Sequence, residues 1–186
     1  EFREAEGLLK KATELDPGYA RAWNGYGWAL LNLGLQTEAS QAFLFAIDLE
    51  PGWTLPRRNL GILHIDRKDF SRAEDIFLEA TVIDPGEAAN WHHLGSIRMI
   101  REDYSNAIDQ YLQATEIDPG YCDSWHDLGI AYGRLGDHLE AVKAYHRSTE
   151  CDPHNAETWY GLGISFANQH RYQEAVNAYN SSLDID

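Results

Sequence analysis

The apolar residues of this chain recur in columns that repeat every 34 positions. Within each copy, large apolar and small residues follow one another at spacings of three and four, which is typical of amphipathic helices rather than strands. Two such helical stretches fit between successive marks of the pattern. The marks are acidic–proline dipeptides, and they stand at Asp16-Pro17, Glu50-Pro51, Asp84-Pro85, Asp118-Pro119 and Asp152-Pro153. The pattern therefore predicts an array of repeated helix pairs.

Several columns define each copy of the unit. The first holds a tryptophan at Trp23, Trp91, Trp125 and Trp159, and Arg57 interrupts it. The second holds a glycine at Gly27, Gly61, Gly95, Gly129 and Gly163. The last is aromatic, and its members are Phe43, Phe77, Tyr111, Tyr145 and Tyr179. We expect the glycines to let two helices approach closely and the aromatic rings to fill the gap to the adjacent unit.

Proline sets the predicted end of each second helix, because it lacks a backbone N–H and disfavours helix in the preceding residue. First helices are predicted at 21–33, 55–67, 89–101, 123–135 and 157–169. Second helices are predicted at 2–15, 37–49, 71–83, 105–117, 139–151 and 173–185. Asp186 falls where the next acidic mark is due.

These columns resemble the tetratricopeptide repeat, and the resemblance covers the whole chain. It implies an all-α fold, a right-handed α-solenoid superhelix of antiparallel helix pairs. Residues 1–19 would then be the second helix of a truncated repeat. Five repeats would follow at 20–53, 54–87, 88–121, 122–155 and 156–186.

Charge narrows the classes of partner. With 30 acidic and 15 basic residues the formal net charge is −15, and the basic residues are scattered. Neutralising phosphates takes clustered Lys and Arg, so we expect no binding to nucleic acid. No apolar run approaches the ~18–20 residues of a membrane helix, so we expect no membrane insertion.

The two cysteines fall at the start of one predicted helix and at the end of its neighbour. That placement leaves a contact between Cys122 and Cys151 open. Two cysteines do not make a disulfide framework, and the interpretation that we favour is two reduced thiols in a cytoplasmic protein.

Motifs of catalysis are missing from the sequence. It has no phosphate-binding loop, no His-Glu-x-x-His helix and no Cys-x-x-Cys pair. We therefore expect that the protein is not an enzyme and binds no cofactor. His92 and His126 stand one repeat apart, and Asp123 or Asp127 could act as a third metal ligand. Ordinary polar contacts are the better interpretation of these histidines, so no metal is expected.

The resemblance implies that first helices line a concave groove where a protein or peptide binds. The predicted partner-binding residues are Asn24, Trp28, Trp53, Arg58, Asn59, Ile62, His92, His93, His126 and Ile130. Tryptophan and arginine are enriched among binding hot spots, which favours Trp28, Trp53 and Arg58 as the anchor. The alternative is that Trp28 and Trp53 only pack on each other or on a neighbouring turn.

The function predicted from sequence is a protein–protein interaction scaffold that holds a peptide or helix of a partner. The clamp of lysines, arginine and asparagines by which some members of the family grip a peptide's terminal carboxylate is absent. Two alternatives stay open. The array could be the recognition arm of a larger enzyme, such as a transferase, or it could associate end to end through apolar helix faces.

Overall fold

The computed structural model describes residues 2–185, and within them the chain is helical and contains no strand. The first helices of the repeats are α2 (Ala20–Asn32), α4 (Thr54–Asp66), α6 (Ala88–Ile100), α8 (Cys122–Leu135) and α10 (Ala156–Asn168). The second helices are α1 (Phe2–Leu15), α3 (Gln36–Leu49), α5 (Phe70–Ile83), α7 (Tyr104–Ile117), α9 (His138–Cys151) and α11 (Tyr172–Leu183).

These bounds confirm the predicted helices to within one or two residues. Helix α3 ends at Leu49, directly before the Glu50-Pro51 mark, and α7 ends at Ile117 before Asp118-Pro119. Proline therefore ends the second helices for the expected reason. The final helix stops at Leu183, and Asp186, the last predicted mark, lies outside the described residues.

The chain divides into two compact units, unit 1 (Glu1–Pro85) and unit 2 (Gly86–Asp186). In unit 1 each helix from α1 to α5 packs against the next, and α2 also touches α4. In unit 2 each helix from α6 to α11 packs against the next, and α8 touches both α6 and α10. The first helices of neighbouring repeats thus form a continuous surface within each unit.

The glycine column allows the close approach that the pattern predicted. A Cβ atom built on any of its five glycines would lie 2.5 to 2.7 Å from the aromatic ring of the same repeat, closer than real Cβ contacts come. The ring of Tyr145 also reaches the next repeat, where a Cβ on Gly161 would lie 2.6 Å from it. Tyr145 therefore packs between Gly129 and Gly161, and neither position has room for a side chain.

The turn inside each repeat, between its first and second helix, uses a left-handed residue that the sequence pattern did not reveal. Gly34 and Gly136 have φ of 78° and 82°, and Lys68, Glu102 and His170 have φ of about 60° at the same place in their own repeats. Only glycine adopts this conformation without a steric cost. The backbone of the repeat therefore imposes the turn on three residues that do not favour it.

The tryptophan column has a hydrogen-bonding role. The indole Nε1–H groups of Trp23, Trp125 and Trp159 each donate to the carbonyl oxygen of the proline six residues earlier, at 2.9 Å. Buried Arg57 interrupts the column in sequence, yet its guanidinium donates to the Pro51 oxygen at 2.6 Å. The bond therefore explains how an arginine can stand in an aromatic column.

Cys122 and Cys151 form a disulfide in the structure, with Cα atoms 5.5 Å apart. It joins the start of α8 to the end of α9, at the opposite end of the hairpin from the turn that connects them. The interpretation favoured from sequence, two reduced thiols, is therefore wrong for this structure. Antiparallel pairing of the two helices brings the cysteines together across 29 positions of sequence.

Candidate functional site

The predicted partner-binding residues of unit 1 lie on or directly before its two first helices. Asn24 and Trp28 are on α2, one turn apart, while Arg58, Asn59 and Ile62 are on α4. Trp53 is the residue that precedes α4, where its backbone is extended. Because α2 and α4 are in contact, the structure brings the six predicted residues to one pair of helices.

Asn24 and Asn59 hold these two helices together. The Asn59 Nδ2 group donates to Asn24 Oδ1 at 2.9 Å, and Asn59 is buried. A buried amide that is already hydrogen-bonded has less to offer a partner than an exposed one. Asn59 therefore positions the helices beside the predicted anchor.

Trp28 is the exposed member of this set, with 49% of its surface open to solvent. Trp53 is half-buried. Neither tryptophan takes part in an aromatic ring pair within residues 2–185, whereas Trp23 packs on Phe45 with ring centroids 4.8 Å apart. The alternative that Trp28 and Trp53 stack on each other is thus not seen.

Two of the three predicted histidines of unit 2 join neighbouring repeats. His92 Nδ1 lies 3.0 Å from Ser124 Oγ, and His126 Nδ1 lies 2.8 Å from Thr158 Oγ1. Burial lowers the pKa of His92 to about 4 and also lowers the pKa of His126. These contacts recur at the 34-residue period, so the histidines link one first helix to the next. Ser124 and Thr158 occupy matching places in the repeat. The recurrence of a hydroxyl there is the sequence feature from which these contacts could have been predicted.

Asp127 is the centre of a polar cluster that sequence reasoning considered only as a metal ligand. Its Oδ2 atom lies 3.9 Å from His92 Nε2, and its carboxyl hydrogen-bonds the Tyr111 hydroxyl. Burial raises the pKa of Asp127 to about 6, the Tyr111 hydrogen bond opposes this rise, and the Asp123 carboxylate adds to it. Burial and then the nearby Asp127 charge also raise the pKa of Tyr145. Asp127 is therefore a carboxyl that ionises close to neutral pH.

His93 and Ile130, the remaining predicted residues, are half-buried on α6 and α8. His92 and His126, the histidines considered as metal ligands, each place Nδ1 on a hydroxyl of the next first helix. Within residues 2–185 no group of three His, Cys, Asp or Glu side chains is placed to hold a metal ion. In the same range no helix has the length and apolarity to span a bilayer.

Family models match three parts of the chain. Two described as tetratricopeptide repeat match residues 1–52 and 121–186, and one described as TPR repeat matches residues 95–136. No curated protein matches the chain.

Solved structures share the fold. A crystal structure of MamA superposes with a TM-score of 0.78 at 22% identity, covering 86% of this chain and 93% of MamA. YrrB, described as a TPR protein with an unusual peptide-binding site, gives 0.75 at 19% identity over 96% of this chain and 92% of its own. A chain of the APC/C hetero-tetramer Cut9-Hcn1 gives 0.82 at 20% identity, covering all of this chain and 37% of that one. Identities this low establish the α-solenoid fold alone.

Proposed function

Because this chain belongs to the tetratricopeptide repeat family, a family of protein-binding scaffolds, we propose that it holds a peptide or helix of a partner protein against its first helices. Catalysis is no part of the proposal. The partner would lie across α2 and α4, with Trp28 as the anchor and with Trp53, Arg58 and Ile62 beside it. Asn24 and Asn59 would keep the two helices in register.

The exposure of Trp28 is the observation that carries the proposal. An indole with half its surface in water costs solvation free energy that a partner's apolar side chain would recover. Tryptophan is also the residue type most enriched among binding hot spots, where truncation to alanine typically costs about 2 kcal/mol or more. YrrB, a protein of the same fold, is described by its peptide-binding site, which is consistent with this use of the fold.

Capture from native lysate tests the proposal. Immobilised wild-type chain, the Trp28→Ala variant and the Arg58→Ala variant are compared by mass spectrometry of the retained proteins. We expect a partner that wild type retains and that both variants lose, with helical content unchanged by circular dichroism. The partner is then produced recombinantly, and its Kd should weaken by about 30-fold or more on the Trp28→Ala change.

Leu44 supplies the matched control. It lies in the same unit on the second helix α3, and its exposed fraction of 47% is close to that of Trp28. Leu44→Ala should leave the partner bound with unchanged Kd. Equal loss of binding in the Leu44 and Trp28 variants would show that the first helices are not the binding surface.

End-to-end self-association is a second candidate, favoured by exposed apolar side chains on α1 and α11. Leu8 and Leu15 on α1, and Val176 and Leu183 on α11, all lie largely in solvent. Sedimentation velocity over a range of concentrations would test it, with Leu15→Glu and Leu183→Glu as variants. A mass that stays monomeric at every concentration would rule this candidate out.

A further inference from the structure

One side of α8 combines carboxylates with an apolar side chain. Asp123, Asp127 and Ile130 are spaced four and three residues apart, so they share one side of the helix. On the adjacent helix α10, Ile164 stands 34 positions after Ile130 and is 39% exposed. We call these four residues the acidic–apolar face.

Helix α8 is the middle one of the three first helices of unit 2. Helix α8 touches α6 on one side and α10 on the other, in addition to α7 and α9. Asp123 is exposed to solvent even though α8 has a first helix on each side. Side chains that stay in solvent in such a position are available to a partner that lies across the first helices.

The carboxylates of the face lack a charged counterpart. Within residues 2–185 no Lys or Arg forms an ion pair with Asp123, Asp127 or neighbouring Glu157. Asp127 is only 29% exposed in its side chain, and its ion-pair contact is His92, 3.9 Å away. His92 is neutral at physiological pH because burial lowers its pKa to about 4. A desolvated carboxylate without a cation is a position at which an incoming cation is strongly stabilised.

We infer that the acidic–apolar face binds a cationic segment of a partner protein, in which Lys or Arg residues alternate with aliphatic ones. This inference rests on the proposed function and names the class of its partner. The ammonium or guanidinium group would meet the Asp123 and Asp127 carboxylates. The methylene stem and neighbouring aliphatic side chains would cover Ile130 and Ile164.

Charge favours this occupant over an acidic or purely apolar peptide. The chain carries a net charge of −15, which attracts a cationic segment and repels an anionic one.

Three fluorescein-labelled helical peptides test the inference by anisotropy titration against the whole chain. One alternates leucine and lysine along one face, the second has glutamate in place of lysine, and the third has norleucine. We expect the lysine peptide to bind at least about tenfold more tightly than the other two, since each tenfold in Kd is the typical yield of one good charged contact.

Charge-neutral variants locate the binding. Asp127→Asn keeps the shape of the side chain, and Asp123→Asn changes an exposed residue, so both should fold. Each should weaken the lysine peptide by about tenfold and reduce its salt dependence. Asp109→Asn, which removes the same charge from an exposed position on α7, should leave the Kd unchanged.

The outcomes separate this inference from the proposed function. If Asp109→Asn weakened the lysine peptide as much as Asp127→Asn, the attraction would come from net charge and the inference would be overturned. Binding of the norleucine peptide as tight as that of the lysine peptide would overturn it too. In either case Trp28-dependent capture could still succeed, because it is measured on unit 1 with a natural partner. Loss of Trp28-dependence alone would instead remove the proposed function.

Discussion

The guanidinium of Arg57 donates to the carbonyl oxygen of Pro51 at 2.6 Å. In their own repeats, the indoles of Trp125 and Trp159 donate to the proline carbonyl oxygen in the same way. A second guanidinium nitrogen of Arg57 pairs with Glu79 at 3.2 Å. The bond ties the first turn of a first helix to the proline loop before it. What four residues of this column share is a donor at the end of a long side chain and not an aromatic ring.

Arg57→Ala should lower the free energy of unfolding by about 1–3 kcal/mol, because it removes the donor to Pro51 and leaves space at a buried site. Arg57→Trp should recover most of the loss, since an indole fills this position elsewhere in the chain. Urea unfolding followed by circular dichroism measures both. Arg72→Ala is the control, because its ion pair with Asp69 is exposed and should contribute less than about 0.5 kcal/mol. A wild-type unfolding curve for Arg57→Ala would contradict the role of this bond.

Gly129→Ala should destabilise the protein by about 1–3 kcal/mol through overpacking. The new Cβ atom would lie 2.7 Å from the Tyr145 ring, and Gly161 behind that ring blocks its retreat. Gly133→Ala on the same helix meets nothing within 4 Å, so it should be neutral or stabilise the helix by up to about 1 kcal/mol. Thermal melts of the two variants should therefore move in different directions. Equal shifts in Tm for the two variants would show that the Tyr145 ring moves aside at little energetic cost.

Reduction of the Cys122–Cys151 disulfide should destabilise the protein by about 3–4 kcal/mol, as expected for a closed loop spanning 29 positions. The Cys122→Ser/Cys151→Ser variant should melt like the reduced wild type and should not respond to dithiothreitol. Mass spectrometry after alkylation under non-reducing conditions checks the bond directly. Two alkylated cysteines in the native, unreduced protein would contradict the disulfide.

Asp127 should make stability fall as pH rises from about 4 to about 7. Its pKa in the folded chain is about 6, above the ordinary value of 3.8, so the folded state holds this proton more tightly than the unfolded state. The resulting stabilisation is complete below pH 3.8 and is lost as pH rises through 6. Relative to wild type, the free energy of unfolding of Asp127→Asn should therefore increase by about 1–3 kcal/mol as pH rises from 4 to 7.

Urea unfolding at several pH values tests this expectation, with Asp109→Asn as the control for a simple change of net charge. His92 acts in the opposite sense, because its pKa falls from 6.5 to about 4, so its contribution is complete above pH 6.5 and is lost as pH falls from there through 4. This window overlaps that of Asp127, so the comparison of Asp127→Asn with wild type, in which His92 is common to both, is the informative one. A stability difference between wild type and Asp127→Asn that does not vary with pH would contradict the raised pKa of Asp127.

Much of the fold was predictable because its causes are local. The helical spacing of apolar residues and the prolines at helix ends act within one or two turns of chain. The 34-residue period repeats these local signals along the sequence. Helix α8 was expected at 123–135 and forms at Cys122–Leu135. The aromatic rings were expected only in the gap to the adjacent unit, whereas Tyr145 contacts Gly129 of its own repeat as well as Gly161 of the next.

The candidate site was predictable only in part, because its members depend on neighbouring repeats. Trp28 is exposed as a first-helix position suggested, yet Asn59 and His92 are buried and hydrogen-bonded across to the next helix. Nothing in the local sequence distinguishes an exposed polar side chain from one that bonds a residue about 32 to 35 positions away. Asp127 stood beside the predicted histidines, and its role emerged only with its burial against Tyr111.

The sequence by itself determined the repeat, the helix pairs and the helix ends, because periodicity and proline chemistry operate over a few residues. Tertiary structure decided the pairing of Cys122 with Cys151, the Arg57 bond to Pro51 and the ionisation of Asp127. The disulfide depends on the distance between two antiparallel helices, and the Arg57 bond depends on the conformation of the loop before α4. The ionisation of Asp127 depends on the water that packing excludes. Periodicity alone carries none of these quantities, because each requires the positions of atoms in the folded chain.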